Sequence, residues 1–243
     1  MTAPVFIASA GLPEGDRVVL DGPEGRHAAT VRRLRPGERA DLTDGAGLLA
    51  ECVVVAAGKD TVELEVLRRR HSPEPDPRLV VAQALPKGDR GELAVELMTE
   101  AGVDAVIPWA AARCVTRWKA ERGAKALGRW RSTAREAAKQ ARRDRLPVVT
   151  EQEGTAALAA RLREAELAVV LHESAETPLS AVTPPATGEV VAVVGPEGGI
   201  DDAELATFTE AGAVPVRLGG TVLRTSTAGL AALAVLSTRT GRW

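Results

Sequence analysis

Between residues 5 and 67 the apolar positions come in short bursts: V-F-I-A, R-V-V-L, R-A-D-L-T, L-L-A-E-C-V-V-V and T-V-E-L-E-V-L. Val62-Glu63-Leu64-Glu65-Val66 alternates strictly, the period of a half-buried strand. Asp21-Gly22, Asp44-Gly45 and Gly58-Lys59-Asp60 separate the bursts where hairpin turns are expected. The pattern predicts a small β-barrel or sheet. Residues 27–35, H-A-A-T-V-R-R-L-R, break it and predict a short helix closed by Pro36-Gly37.

His71-Ser72-Pro73-Glu74-Pro75-Asp76-Pro77 is a stiff, proline-dense connector, which places a domain boundary between residues 1–72 and 73–243. Beyond it the texture changes. A buried strand is predicted at 79–85, a helix at 92–101, a strand at 105–109, a long helical region at 119–145, strands at 168–171 and 190–194, and a final strand-helix pair. Valine-rich strands that alternate with helices imply a mainly parallel sheet covered on both faces, an α/β domain.

Two stretches inside this domain share one design. V-V-A-V-V-G-P-E-G-G-I begins at Val190, and V-P-V-R-L-G-G-T-V-L-R-T-S-T-A-G ends at Gly229. In each, an apolar strand runs into a glycine turn that opens a helix. Such turns leave backbone N–H groups unpaired and let a ligand approach the main chain. Leu171-His172-Glu173 ends one strand and Gly195 follows another, and carboxyl ends of parallel strands are where α/β sheets bind ligands. Neither the G-x-G-x-x-G dinucleotide fingerprint nor a P-loop G-K-[ST] is present. Asp201 and Glu204 have the spacing of a capping box, a structural rather than catalytic role. Glu197 sits between a proline and two glycines. Arg224 precedes Thr225-Ser226-Thr227, which reads as an N-cap cluster for an apolar helix at 228–236.

Charge changes the picture more than composition does. The net charge is only -2, yet residues 119–145 carry ten Lys or Arg against Glu121, Glu136 and Asp144. Arg131, Arg135 and Lys139 are four apart and share a helix face, with Trp130, Ala134, Ala137, Ala138 and Ala141 available for packing. Solvated faces usually mix both signs; this segregation favours a polyanion such as nucleic acid. Arg32, Arg33, Arg35, Lys87, Arg90, Arg142 and Arg143 extend the set of candidate phosphate contacts. Aromatic residues make up only 2%, with no Tyr, which argues against base stacking on aromatic platforms. Cys52 and Cys114 stand alone, so neither a disulfide framework nor a zinc site is expected. With no signal peptide or membrane span in the pattern, a soluble cytoplasmic protein without metal is expected.

The motifs V-V-G-P-E-G-G-I, V-R-L-G and V-L-R-T-S-T-A, together with H-A-A-T-V-R-R-L-R-P-G, A-L-P-K-G-D-R and E-A-A-K-Q-A-R-R, occur in an order that spans nearly the whole chain. On these the sequence closely resembles the ribosomal small-subunit (16S rRNA) uridine-N3 methyltransferases of the SPOUT superfamily. The resemblance implies a PUA-like RNA-binding β-barrel, followed by a SPOUT α/β domain with a deep trefoil knot, working as a homodimer on 16S ribosomal RNA of the small ribosomal subunit. The implied cofactor is S-adenosylmethionine, cradled by Leu171, His172, Gly195, Glu197, Gly198, Gly199, Ile200, Leu218, Gly219, Leu223, Arg224, Thr225 and Thr227. Arg224 is the implied charge-stabilising residue, and Glu197 a base or orienter. One departure matters: Ser226 stands where a common family form, L-R-T-E-T-A, has a glutamate. Proton removal then falls to water, Glu197 or a residue of the other subunit. A SPOUT ribose 2'-O-methyltransferase and a non-catalytic RNA-binding assembly factor are the alternatives. L-P-K-G-D-R does not resemble the motif of the first, and the intact G-P-E-G-G-I and L-R-T speak against the second.

Overall fold

The computed structural model describes residues 3–8 and 11–243. The chain divides into two compact units, Met1–Glu74 with Ala138–Leu146 and Pro75–Ala137 with Pro147–Trp243.

The first unit is built on a five-stranded sheet of β1 (Val5–Ile7), β2 (Arg17–Leu20), β3 (Arg39–Thr43), β4 (Leu48–Ala57) and β5 (Val62–His71), in the order β1-β3-β4-β5-β2. Only β1 and β3 run parallel. The alternation in β5 turns Val62 and Leu64 into the core, where they meet Phe6, Leu42, Ala50, Cys52 and Val54. Register shifts at Glu51/Cys52 and Val54/Ala56 in β4 bend the long hairpin, so the sheet curls. Asp44 secures the β3–β4 turn, its Oδ1 accepting from the N–H groups of Ala46 at 2.7 Å and Leu48 at 3.0 Å.

Asp21-Gly22 is not a hairpin turn. It opens helix α1 (Gly22–Arg26), with Pro23 at its start, and β2 pairs with β5 rather than with the strand that follows it. The helix predicted at 27–35 therefore begins earlier and continues through a wide, π-type turn at His27–Val31. It ends where Arg33 adopts a left-handed φ of 54°.

The second unit holds an all-parallel sheet. Its strands are β6 (Arg78–Ala84), β7 (Ala105–Trp109), β8 (Val148–Val149), β9 (Leu167–Leu171), β10 (Glu189–Val194) and β11 (Val214–Val216), in the order β11-β9-β10-β6-β7-β8. Central β10 has Val190 to Val194 buried without a break, as a strand covered on both faces requires. The helices are α2 (Arg90–Glu100), α3 (Ala120–Gln140), α4 (Thr155–Glu164), α5 (Asp202–Glu210) and α6 (Thr225–Arg239). Among the described residues no helix is long and apolar enough to cross a membrane.

The basic segment departs from its predicted pattern. Trp130, Ala134, Ala137 and Ala138 are buried as expected, but Ala141 is exposed and Lys139 is only 6% exposed. α3 stops at Gln140, and Arg142 takes φ 55°, so helical periodicity does not extend to Ala141. Residues 138–146 belong to the first unit and are bound into it. The Lys139 ammonium meets the Glu24 carboxylate at 2.9 Å, the Thr43 hydroxyl donates to the Asp144 carbonyl at 2.7 Å, and the Arg145 guanidinium donates to the Ser72 carbonyl at 2.8 Å.

Candidate functional site

The carboxyl ends of β9, β10 and β11 open onto one cleft of about 390 Å³, within the usual size range of small-molecule sites. Its wall takes Leu171, His172 and Glu173 from the end of β9, and Val194, Gly195, Pro196, Glu197, Gly199 and Ile200 from the turn after β10. Residues Arg217 to Thr225 form the opposite side, with Ala228 from α6 and Arg90 from the start of α2. The two glycine turns read from the sequence thus face a common space because β10 and β11 flank β9 in the sheet.

Each turn is held by identifiable bonds. Gly199 needs its φ of 74°, and a Cβ on Gly195 would stand 2.7 Å from Cγ1 of Ile200, closer than packing allows. The turn closes with the Gly199 N–H donating to the Pro196 carbonyl at 3.0 Å. Arg113, from the loop after β7, donates to the carbonyls of Gly198 and Ile200, each at 3.3 Å, and lies 3.7 Å from the Asp201 carboxylate. Asp201 and Glu204 form the capping box of α5. On the second turn, a Cβ on Gly219 or Gly220 would meet nothing within 4 Å, so side chains there would protrude into open space at the cleft wall.

Glu197 is fixed rather than free. Its Oε1 accepts from the Lys87 N–H at 3.1 Å and lies 3.8 Å from the Arg90 guanidinium, which joins the L-P-K-G-D-R turn to the cleft. His172 pairs its Nδ1 with the Ser174 hydroxyl at 2.9 Å. Arg224 is the N-cap residue of α6, exposed and lining the cleft. The Thr225-Ser226-Thr227 cluster does not cap the helix as the sequence predicted; these residues occupy its first turn. Thr225 instead donates its hydroxyl to the Gly195 carbonyl at 2.8 Å, while Thr227 bonds back to the Arg224 carbonyl at 3.1 Å. Ser226 is 3% exposed and does not line the cleft.

Of the residues predicted to hold a cofactor, Leu171, His172, Gly195, Glu197, Gly199, Ile200, Leu218, Gly219, Leu223, Arg224 and Thr225 line the cleft, whereas Gly198 and Thr227 do not. Gly198 backs onto Arg113, where a Cβ would lie 3.3 Å from the arginine Cβ. Glu173, flagged as a strand-end position but not placed in the cradle, lines the cleft, and sequence reasoning missed Arg217 and Arg113. Arg217 directly adjoins Leu218, so its strand end could have signalled it; nothing local marks Arg113. Among the candidate phosphate contacts, Arg32, Arg33, Arg35, Lys87, Arg131 and Arg142 are exposed, and Arg90, Arg135 and Arg143 are half-buried. Arg131 is engaged by the Val149 carbonyl at 3.1 Å and the Glu151 carboxylate at 2.9 Å. Lys139, buried against Glu24, is not presented to solvent.

Comparison with known proteins agrees with this geometry. The family described as "RNA methyltransferase domain" matches residues 72–237, and "RNA methyltransferase PUA domain" matches residues 20–67. The chain is 49% identical to the ribosomal RNA small subunit methyltransferase E of Mycobacterium tuberculosis, with 100% of this chain and 94% of that protein covered. It is 31% identical to the Bacillus subtilis protein of the same name, over 94% and 93% of the two chains. A crystal structure of ribosomal RNA small subunit methyltransferase E from Neisseria gonorrhoeae bound to S-adenosyl methionine superposes with a TM-score of 0.85 at 30% identity, covering 98% of each chain. A curled N-terminal sheet, a parallel sheet with a cleft at its carboxyl edge, and relatives matched over more than nine-tenths of their length converge on one assignment: this chain belongs to the ribosomal RNA small subunit methyltransferase E family of RNA methyltransferases.

Proposed function

We propose that this chain is an S-adenosylmethionine-dependent methyltransferase acting on N3 of a uridine in 16S ribosomal RNA. Its target lies in the decoding region of the small ribosomal subunit, and the enzyme works in the cytoplasm as a homodimer whose two glycine turns form part of a trefoil knot. The observation that carries this reading is the cleft, where both turns meet at the sheet's carboxyl edge. Support comes from the family membership and from the bound S-adenosyl methionine of the gonococcal relative.

The residues present fit that cofactor. The cavity has drug-like size, its wall mixes apolar Leu171, Leu218, Leu223 and Ile200 with polar groups, and glycines keep the main chain accessible where side chains would intrude. When bound, the cofactor supplies a methyl group on a positively charged sulfur. The uracil imide must lose its N3 proton, and negative charge then spreads to the ring carbonyls. Arg224, exposed on the cleft wall, stabilises that charge, with Arg217 beside the same space. Glu197, its Oε1 held by the Lys87 N–H and near Arg90, is placed to orient the uracil or to take its proton through the other oxygen. Ser226 is buried and does not line the cleft, which leaves water, Glu197 or a residue of the other subunit to take the proton. Alignment of the reacting groups supplies much of the remaining rate. Arg32, Arg33, Arg35 and Lys87 serve as phosphate contacts, their binding weakened by salt.

The test is methyl transfer from labelled cofactor to small-subunit particles from a deletion strain, with the modified atom mapped. Label on N3 of one uridine is expected; no label, or label on ribose, overturns the reading. Arg224→Ala should lower kcat by roughly 10²-fold or more. Full activity in that variant removes Arg224 from its role.

A further inference from the structure

The Thr225 hydroxyl links segments far apart in the chain. It donates to the Gly195 carbonyl at 2.8 Å and accepts from Nε2 of Gln83 at 2.9 Å. Gln83 lies near the carboxyl end of β6, is 0% exposed, and also donates to the Ala84 carbonyl at 3.0 Å. Gly195 is where β10 gives way to the cleft turn. Because Pro196 follows, their shared peptide has a carbonyl and no N–H, so hydrogen bonding can orient it only through that oxygen.

Chemistry dictates the direction of this chain of bonds. An amide N–H can only donate, so Gln83 occupies a lone pair on Thr225. A hydroxyl has a single proton, which is thereby left for Gly195. The other end of the Gln83 amide makes the case stronger: its Oε1 is buried without a hydrogen-bond partner. A half-satisfied buried amide is a poor choice for packing, where an apolar side chain would serve better. Its donor is the part put to use.

We propose that Gln83 is a positioning residue for methyl-donor binding. Acting through Thr225, it sets the Gly195–Pro196 peptide and with it the wall of the cleft from Gly195 to Ile200. Gln83 does not itself line the cleft. The turn has little slack to absorb a rotation of that peptide, given the close approach of Ile200 to Gly195. This inference rests on the reading of the cleft as the S-adenosylmethionine site.

Calorimetric titration of S-adenosylmethionine into the full-length protein and its variants tests the relay. Gln83→Glu keeps the shape and replaces the donor with an acceptor, so the Thr225 proton turns away from Gly195. Thr225→Val removes the hydroxyl at equal size, and Thr225→Ser retains it. Gln83→Glu and Thr225→Val should each weaken binding roughly ten-fold. Thr225→Ser should recover most of the affinity that Thr225→Val loses, and the Gln83→Glu/Thr225→Val double variant should be no weaker than either single one. In turnover assays the loss should appear in KM for the methyl donor, with KM for RNA unchanged. Wild type that does not bind the methyl donor overturns the reading of the cleft and the relay with it. Wild type that binds, with both single variants equally tight or with additive losses in the double, overturns the relay alone. Should Gln83→Glu fail to fold, Thr225→Val binding as tightly as Thr225→Ser overturns it.

Discussion

Glu204 offers a direct measure of how much one buried carboxylate contributes to this fold. It is 6% exposed, and its two oxygens accept three bonds. Oε1 takes the Ala112 N–H and the Thr155 hydroxyl, each at 2.8 Å, and Oε2 takes the Asp201 N–H at 3.3 Å. One side chain thus ties the start of α5 to the loop after β7 and to the start of α4. Hydrogen bonds to a charged group contribute about 1.5–3 kcal/mol each, offset by the cost of taking the carboxylate out of water. Glu204→Ala should therefore cost about 3–4 kcal/mol. Glu204→Gln keeps the shape and one acceptor oxygen, and should cost about 1–2 kcal/mol. At about 2–4 °C per kcal/mol for a unit of this size, the alanine variant should melt roughly 6–16 °C lower. All four tryptophans, Trp109, Trp118, Trp130 and Trp243, lie in the second unit, so intrinsic fluorescence in a urea titration follows that unit alone. The midpoint should fall with the slope unchanged. A loss below about 1 kcal/mol for the alanine variant, or equal losses for alanine and glutamine, would refute the three-bond account. A folded, equally stable Glu204→Gln that had lost methyl transfer would instead make Glu204 part of the chemistry.

Two further outcomes concern the first unit. A Cβ on Gly25 would stand 2.4 Å from the Leu20 carbonyl oxygen and 2.7 Å from that of Asp60, and backbone atoms cannot yield as a flexible side chain can. Gly25→Ala should cost about 3 kcal/mol, at the upper end for overpacking. Hydrogen exchange should rise in the β2 and β5 amides while methyl-donor affinity is unchanged; unaltered exchange contradicts the contact. Burial raises the Cys52 thiol from 9.0 to about 11. The unfolded chain loses this proton first, so the folded state loses stability as pH climbs from about 9 towards about 11, and none below that window. Cys52→Ala should flatten that decline in alkaline denaturation curves, and an unchanged slope would exclude the thiol as its source.

Most strands and helices of the second unit were legible along the chain because each signal is local, but the two-residue strand β8 and helix α4 were not predicted. A run of valines as in β10, the alternation of β5, and the Asp201-x-x-Glu204 spacing all depend on neighbours within four residues. The glycine turns were legible for the same reason, and strand ends pointed to the cleft before its walls were known. Local signals failed where a segment's partner is remote. Asp21-Gly22 carries hairpin chemistry, yet pairing of β2 with β5 leaves it free to start a helix. Lys139 continues the four-residue spacing of Arg131 and Arg135, yet Glu24, 115 residues away, draws it into the first unit. Thr225 looks like a helix cap until Gly195 and Gln83 claim its hydroxyl from 30 and 142 residues away. Pattern by itself marked most of the strands and helices, since backbone geometry and burial repeat every two or 3.6 residues. Which polar groups meet was decided only by tertiary structure, because a hydrogen bond forms between whatever donors and acceptors the packed sheet brings within about 3 Å, however distant in the chain.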